Sequence, residues 1–347
     1  MMSAQMLDAV AGPRGKATPP PPPVSAAAAR VRRWDQALTF LPLLVILLGG
    51  ALIGAGAWLT IDSLDRERAE VVRAKEADAG NLARAFEENV RQTVRRLDQA
   101  LVQMRDEYAE HPASFLRKAA NWQKTLYSDL AFQVGAIDAN GFLRFSNLTV
   151  PQERLDLSDR EHFQAHARSS EDALFISKPL IGRVSGKSSI QFSRRISKPD
   201  GSFDGVMVLS VSPSDITGFY GIDDLGTQGS VMLVGMDRVV RARSSAASQS
   251  ASAAGNGVGA VLVDRPYLDP SQPPSGIFYL RSEVDNILRI VAYRRLKDYP
   301  LLAIVGLGWD EALAPFEERK RNVLVAASIV GGTGLVAILL IAWLIRL

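Results

Sequence analysis

Two stretches without a single charged residue bound what this chain can fold into. Residues 37–60 read ALTFLPLLVILLGGALIGAGAWLT and residues 323–345 read VLVAASIVGGTGLVAILLIAWLI. At 1.5 Å per residue, a helix of about 24 residues crosses a hydrocarbon layer of roughly 30 Å. Both runs are therefore transmembrane-helix candidates. A cleaved leader is the competing reading of the first run, because Ala55-Gly56-Ala57 fits a small-x-small cleavage pattern. Against it, the run is longer than the roughly 7–15 apolar residues of such a leader. Ahead of it stand Arg14, Lys16, Arg30, Arg32 and Arg33 against Asp8 and Asp35, an excess of positive charge that assigns the N-terminus to the cytoplasm. A second crossing returns the C-terminus there, and residues 61–321 are expected outside.

The composition of the whole 347-residue chain, 47% hydrophobic and 22% charged, is that of a chain with a sizeable core. A formal net charge of +3, with no basic stripe interleaved with aromatics, gives no reason to expect nucleic acid as a partner. The chain has no cysteine, which excludes disulfides, thiolate nucleophiles and cysteine-ligated zinc.

Along the chain the organisation reads as follows. Residues 1–33, with Pro19 to Pro23 in a row and an alanine run, are expected to form a flexible cytoplasmic tail ahead of the span at 37–60. Residues 61–125 form a stalk and long helix, in which Leu82, Phe86, Val90, Val94, Leu97, Leu101, Met104 and Tyr108 recur at spacings of three and four. That stripe suits packing on the chain's own sheet, and its later half is close enough to a heptad to suit a seam with a second copy. From Ala131 the period changes to two. Asp138 to Gly141 turns one hairpin, with Asn140-Gly141 supplying positive φ, and Lys198-Pro199-Asp200-Gly201 turns another. Between them SDREHFQAHA reads as a helix, with Ser158 as N-cap and Glu161 completing a capping box. Strands recur after residue 213, with SVMLVG and RVVRAR pairing across Met236-Asp237, then a Ser/Ala/Gly-rich stretch at 244–259, then GIFYLRS, LRIVAYRRL and LLAIVGL. Two antiparallel sheets of about five strands each, braced by the long helix, are expected. The modules fall at 126–212 and 213–310, followed by a juxtamembrane helix at 311–322 and the second span at 323–345.

One region concentrates polar chemistry. Residues 155–170, LDLSDREHFQAHARSS, hold two of the three histidines, and GRVSGKSSIQFSRRIS follows. A catalytic site, a ligand pocket and an ordinary solvated surface all compete for it; on the last reading Arg160 pairs with Asp156 or Asp159. Catalysis is poorly served. His162 and His166 share a helix face, but the His-Glu-x-x-His order is absent, so no metal site is assigned. GRVSG lacks the spacing of a nucleophile elbow around Ser185. GGTG at 331–334 lies inside the second span, where small residues let helices approach. No catalytic residue and no cofactor is assigned to the chain.

Several segments, taken in order, carry a family resemblance: GAIDANGFLRFSN (135–147), DLSDREHFQAHA (156–167), KPLIGRVSGKSSIQFSRRI (178–196), DGSFDGVMVLSVSP (200–213) and LGTQGSVMLVGMDRVVRAR (225–243). Lying between two spans, they resemble a double Cache domain, a tandem PAS-like (PDC) sensor found outside the membrane in bacterial sensor kinases and diguanylate cyclases. The resemblance implies an α+β fold: a long N-terminal helix packed on two tandem PAS-like antiparallel sheets, flanked by two transmembrane helices of the bacterial inner membrane, with residues 61–321 in the periplasm. It also implies a pocket in the membrane-distal module for a small, anionic ligand such as a carboxylate. Arg160 matches the arginine of the family's ligand-holding run and Phe163 the aromatic after it, with His162 where tyrosine or proline is common. Lys187, Ser189 and Gln191 fall on the opposite wall, and Arg183 lies in a loop able to close over a ligand. The longer signature of amino-acid-binding members is not evident. The expected protein is a homodimeric receptor that relays ligand binding to a cytoplasmic output domain outside this chain, a diguanylate cyclase first and a histidine kinase next. A membrane-anchored binding or scaffold protein without an enzymatic output is the alternative.

Overall fold

The computed structural model describes residues 26–112, 114, 115, 118, 131–148, 154–218, 220, 222–246 and 257–347. The expected tail before residue 26, the start of the expected first module at 126–130 and the middle of the Ser/Ala/Gly-rich stretch lie outside the described residues.

One helix, α1 (Ala26–Glu110), runs from the basic N-terminal segment through the first apolar run and on through the amphipathic stripe. It begins at Ala26, within the residues expected as a tail, where Ala26 to Ala29 are strong helix formers. Between residues 61 and 110 Gly80 is the only glycine and there is no proline, so the helix meets no strong breaker before Glu110. At the other end, the expected juxtamembrane helix and second span form a single helix, α5 (Trp309–Arg346).

The chain divides into two compact units, one holding the apolar helical segments up to Leu64 and from Arg321, the other Asp65–Lys320. Within the first unit both helices are long and apolar enough to cross a membrane. They meet through glycine. A methyl group added at Gly49 would collide with Ile338, and methyls at Gly331 and Gly334 would touch Ile53 at 3.8 and 3.6 Å. Small residues at such crossings let two backbones approach where no hydrophobic effect drives them together.

The second unit is built from two antiparallel sheets. The first contains β1 (Gln133–Asp138), β2 (Leu143–Ser146), β3 (Phe175–Ile176), β4 (Leu180–Ile181), β5 (Ser188–Ser197) and β6 (Phe203–Val211) in the order β2-β1-β6-β5-β3, with β4 also on β5. The second contains β7 (Ser230–Gly235), β8 (Val240–Ser245), β9 (Ser275–Arg281), β10 (Leu288–Arg295) and β11 (Leu301–Gly308) in the order β8-β7-β11-β10-β9. Six and five strands thus stand where about five each are expected; the extra one comes from splitting the edge into two two-residue strands. Between the sheets come the short helices α3 (Pro213–Thr217) and α4 (Ile222–Leu225). The turn glycines behave as their positions demand, with φ of +88° at Gly141 and +83° at Gly201.

Alternation along each strand sorts side chains into two layers. One layer, including Val134, Ala136, Phe192, Met207 and Leu209 of the first sheet and Val231, Leu233, Ala292, Ala303 and Val305 of the second, packs on Phe86, Val90, Val94, Leu97, Leu101 and Met104 of α1. A single helix face therefore cores both sheets. Because that face is buried by the chain itself, the expected alternative of a heptad seam with a second copy is not available to these residues. The opposite layers form separate cores: Ile137, Leu143, Leu157, Phe163, Val206 and Val208 on the first sheet, and Val234, Val240, Tyr267, Tyr293 and Ile304 among others on the second.

Candidate functional site

The opposite face of the first sheet is covered by the chain between β2 and β5, which contains α2 (Glu161–Ala167). This cover is tied to the first hairpin: the Leu157 N–H donates to the Gly141 carbonyl at 2.8 Å and the Leu143 N–H to the Leu155 carbonyl at 3.0 Å. Gly141 is needed twice, for its positive φ and because any side chain there would run into Ser158. The expected capping box does not form. Arg160 is the N-cap of α2, with no side-chain cap bond. The Ser158 N–H is drawn to Asp156 Oδ1 at 2.8 Å in a local Asx turn, and Glu161 instead faces Lys178 at 3.7 Å.

Between sheet and cover lies a cavity of about 40 Å³, lined by Gln133, Gly135 and Ile137 of β1, Gln191 of β5, Val208 and Ser210 of β6, and Leu143, Leu157, Leu180 and Val184. Arg160, His162, Gly182 and Arg183 close it. This volume holds a few waters or a very small solute. Four of the seven candidates, Arg160, His162, Arg183 and Gln191, thus meet at one cavity.

Gln191 is fixed in place. Its side-chain amide donates to Ser189 Oγ at 2.8 Å and accepts from Ser210 Oγ at 2.7 Å, while its backbone N–H donates to Ser177 Oγ at 2.9 Å. Ser189 therefore holds Gln191 in position and does not itself line the cavity. The other two candidates lie off the cavity. Phe163 belongs to the core, edge-on to Phe203 with ring centres 5.6 Å apart. Lys187 precedes β5, is exposed, and sits over the Phe132 ring at 5.6 Å. Gln133 and Ser210 of the lining were not singled out in the sequence; the signal was present as polar residues at inward positions of otherwise apolar strands.

The charges at the mouth are arranged unequally. Arg183 forms a bidentate pair with Asp159 at 2.6 and 2.7 Å, which holds the Asp159 carboxyl below its ordinary value and raises the guanidinium above its own. Arg160, expected on the bland reading to take Asp156 or Asp159, takes neither: among the described residues its guanidinium donates to the Ile181 carbonyl at 3.4 Å. Partial burial, then the neighbouring Arg183, lower its affinity for the proton, although a guanidinium remains charged at any physiological pH. Burial pushes His162 down to about 4, with Arg160 and His166 adding to the effect, so it is neutral at pH 7; its Nδ1 has no hydrogen-bond partner among the described residues. His166 is also pushed down to about 4 by burial, and its Nε2 lies 3.0 Å from Ser193 Oγ. Among the described residues no three His, Cys, Asp or Glu side chains are grouped to hold a metal. The arrangement offers a cation, a neutral ring and an amide at one end of an apolar cleft.

Residues 214–306 match the family model described as the dCache_1-like histidine kinase sensor domain. No curated protein matches the chain. Among solved structures, the chain is similar to the extracellular domain of rpHK1S-Z16, described as a histidine kinase, with a TM-score of 0.60 and 26% identity over 70% of this chain and 98% of that one. The ligand-binding domain of the Pseudomonas fluorescens chemoreceptor CtaA, in complex with L-isoleucine, aligns with a TM-score of 0.51 and 17% identity over 72% of this chain and 98% of that one. The same domain in complex with L-serine gives 0.50 and 15% over 68% and 97%. One long helix bracing two PAS-like sheets is the double Cache architecture, and the sensor-domain match covers residues 214–306 of the unit Asp65–Lys320.

Proposed function

We propose that the chain is the sensing part of a two-span signal receptor, and that the cavity of its first sheet binds a small carboxylate with a short apolar body. The observation that carries this reading is Arg160: a partly buried guanidinium at the cavity with no carboxylate partner among the described residues. A guanidinium presents a planar fork suited to two carboxylate oxygens. His162 and Gln191 stand beside it as neutral polar groups, and Ile137, Leu143, Leu157 and Val208 supply an apolar floor. An amino acid, as held by CtaA, is less well served here. No acidic side chain is among the lining residues, and an ammonium brought in beside Arg160 would meet a like charge.

In the proposed topology both termini are cytoplasmic, the sensor lies in the periplasm, and α1 and α5 carry ligand-dependent displacement through the inner membrane to an output domain outside this chain. The sensor-domain match and rpHK1S-Z16 favour a histidine kinase as that output over a diguanylate cyclase. A ligand shifts such a relay only through unequal affinity for two arrangements. A homodimer would have to use surfaces other than the α1 face buried under the sheets.

The test is a thermal melt of the full chain in detergent with acetate, propionate, succinate, L-alanine and L-serine, beside the Arg160→Ala variant. Binding at a hundredfold the dissociation constant adds about 2.7 kcal/mol to stability. A carboxylate that raises the melting temperature of the parent and not of the variant supports the reading. Equal stabilisation of both proteins, or a response to amino acids alone, overturns it.

A further inference from the structure

A buried polar atom without a hydrogen-bond partner is uncommon in a folded chain and calls for a reason. Among the described residues three side-chain nitrogens stand so: Arg241 Nε, Arg295 Nε and His162 Nδ1. The two arginines place their other nitrogens. Arg241 donates to both oxygens of Asp237 at 2.9 Å, and Arg295 to the Gln272 and Asp269 carbonyls at 3.4 and 3.1 Å. His162 is 5% exposed, and it lines the cavity beside Arg160.

The polar groups around it are already engaged. His166, one turn further along α2 and also buried, has Ser193 Oγ at 3.0 Å from its Nε2. Gln191 places its amide on Ser189 and Ser210, and Gln133 donates to Ser146 Oγ at 3.4 Å. The His162 ring is neutral, because burial and then the charge of Arg160 disfavour its protonated form. A neutral imidazole has one donor and one acceptor nitrogen. An ammonium could only donate to it, and would stand beside the like charge of Arg160. A carbonyl oxygen could only accept. A second carboxylate would bring into the cavity a charge that a neutral ring does not balance. A hydroxyl both donates and accepts, so it suits the ring whichever nitrogen carries the proton. Arg160 is the N-cap of α2 and His162 lies in its first turn, so in a cavity of about 40 Å³ the two reach neighbouring groups of one short molecule.

We propose that this cavity selects a short hydroxy acid with the hydroxyl on the carbon next to the carboxylate. The carboxylate lies on Arg160, the hydroxyl bonds to the His162 ring, and the carbon chain rests against Leu157 and Val208. The assignment rests on the carboxylate reading of the same cavity, and adds to it that His162 sets the specificity.

The test is calorimetric titration of the full chain in detergent. Acetate is compared with glycolate and glyoxylate, and propionate with both enantiomers of lactate and with pyruvate, on the parent, His162→Phe and Arg160→Ala. Phenylalanine keeps a ring in place and removes its nitrogens. In the parent, glycolate and the better lactate enantiomer should bind at least about tenfold more tightly than the plain acid of equal length. In His162→Phe that margin should shrink to less than about threefold while the plain acids still bind. Arg160→Ala should lose plain and hydroxy acids alike. Nitrogen NMR of the parent, isotope-labelled at its three histidines, needs no variant: glycolate should shift the ring nitrogens of one histidine and acetate should not. If His162→Phe does not fold, the parent's margin and this shift decide. The proposal is overturned if plain and hydroxy acids bind the parent equally, if an oxo acid binds more tightly than its hydroxy counterpart, if a folded His162→Phe keeps the full margin, or if glycolate moves no histidine signal. Equal binding that Arg160→Ala abolishes removes only the role of His162; no binding by any of these acids removes the carboxylate reading and this assignment together.

Discussion

Acidification should loosen the unit Asp65–Lys320 before its carboxylates begin to protonate. His162 and His166 are buried and each pushed down to about 4, against about 6.5 in the unfolded chain. Between those values the unfolded state binds more protons than the folded one, so stability is full above about pH 6.5 and falls as the pH drops toward 4. Integrating for one such histidine, about 2 kcal/mol is lost between pH 7 and pH 5; two acting independently lose about 4 kcal/mol. For a domain of this size that lowers the melting temperature by roughly 10 °C. The assay is a series of melts at half-unit steps from pH 7.5 to 5, on the parent and on His162→Leu with His166→Asn. Leucine removes a ring whose Nδ1 has no partner among the described residues, and asparagine can still reach Ser193. The double variant should lose less than a quarter of what the parent loses over that window. A parent with a flat profile, or a double variant that falls as steeply as the parent, would refute the reasoning that burial keeps these rings neutral.

Further outcomes follow from single contacts. Gly205 has φ of +148° and packs against the Ile137 carbonyl, so Gly205→Ala should cost at least about 3 kcal/mol in a denaturant titration, or prevent folding. Arg194 reaches from β5 to Asp98 of α1 at 2.6 and 2.9 Å and to Asp172 at 2.9 Å, and Arg105 also binds Asp172 at 2.6 Å. Asp98→Ala leaves a partly buried arginine with fewer partners and should destabilise by about 1–3 kcal/mol in the same titration. Since the chain has no cysteine, Ile53→Cys with Gly331→Cys gives an unambiguous crosslink across the apolar pair. That disulfide should form rapidly in membranes and slow severalfold when Gly49→Ile wedges the helices apart; an unchanged rate would show that the two helices do not meet at glycine.

Much of this protein is written locally. A membrane-length apolar run, a three-four stripe and an Asn-Gly or Pro-Asp-Gly turn each declare themselves within a few residues, because helix and hairpin formation depend on near neighbours. The two apolar helices, the α1 stripe and the hairpins at Gly141 and Gly201 were legible for that reason, as was the double Cache character of the segments between them. Partner choice was not. Whether Asp159 takes Arg160, one residue away, or Arg183, twenty-four away, depends on how the cover folds back on the sheet, and the bidentate geometry goes to the distant one. The same is true of Phe163 turning into the core while His162 beside it faces the cavity. The pairing of Arg243 and Arg289 on Asp285 joins residues of two strands and a turn that the sequence spreads over more than forty positions. Long-range contacts of this kind are set by strand register and by which face of each sheet is covered, and those are decided only when the whole chain packs.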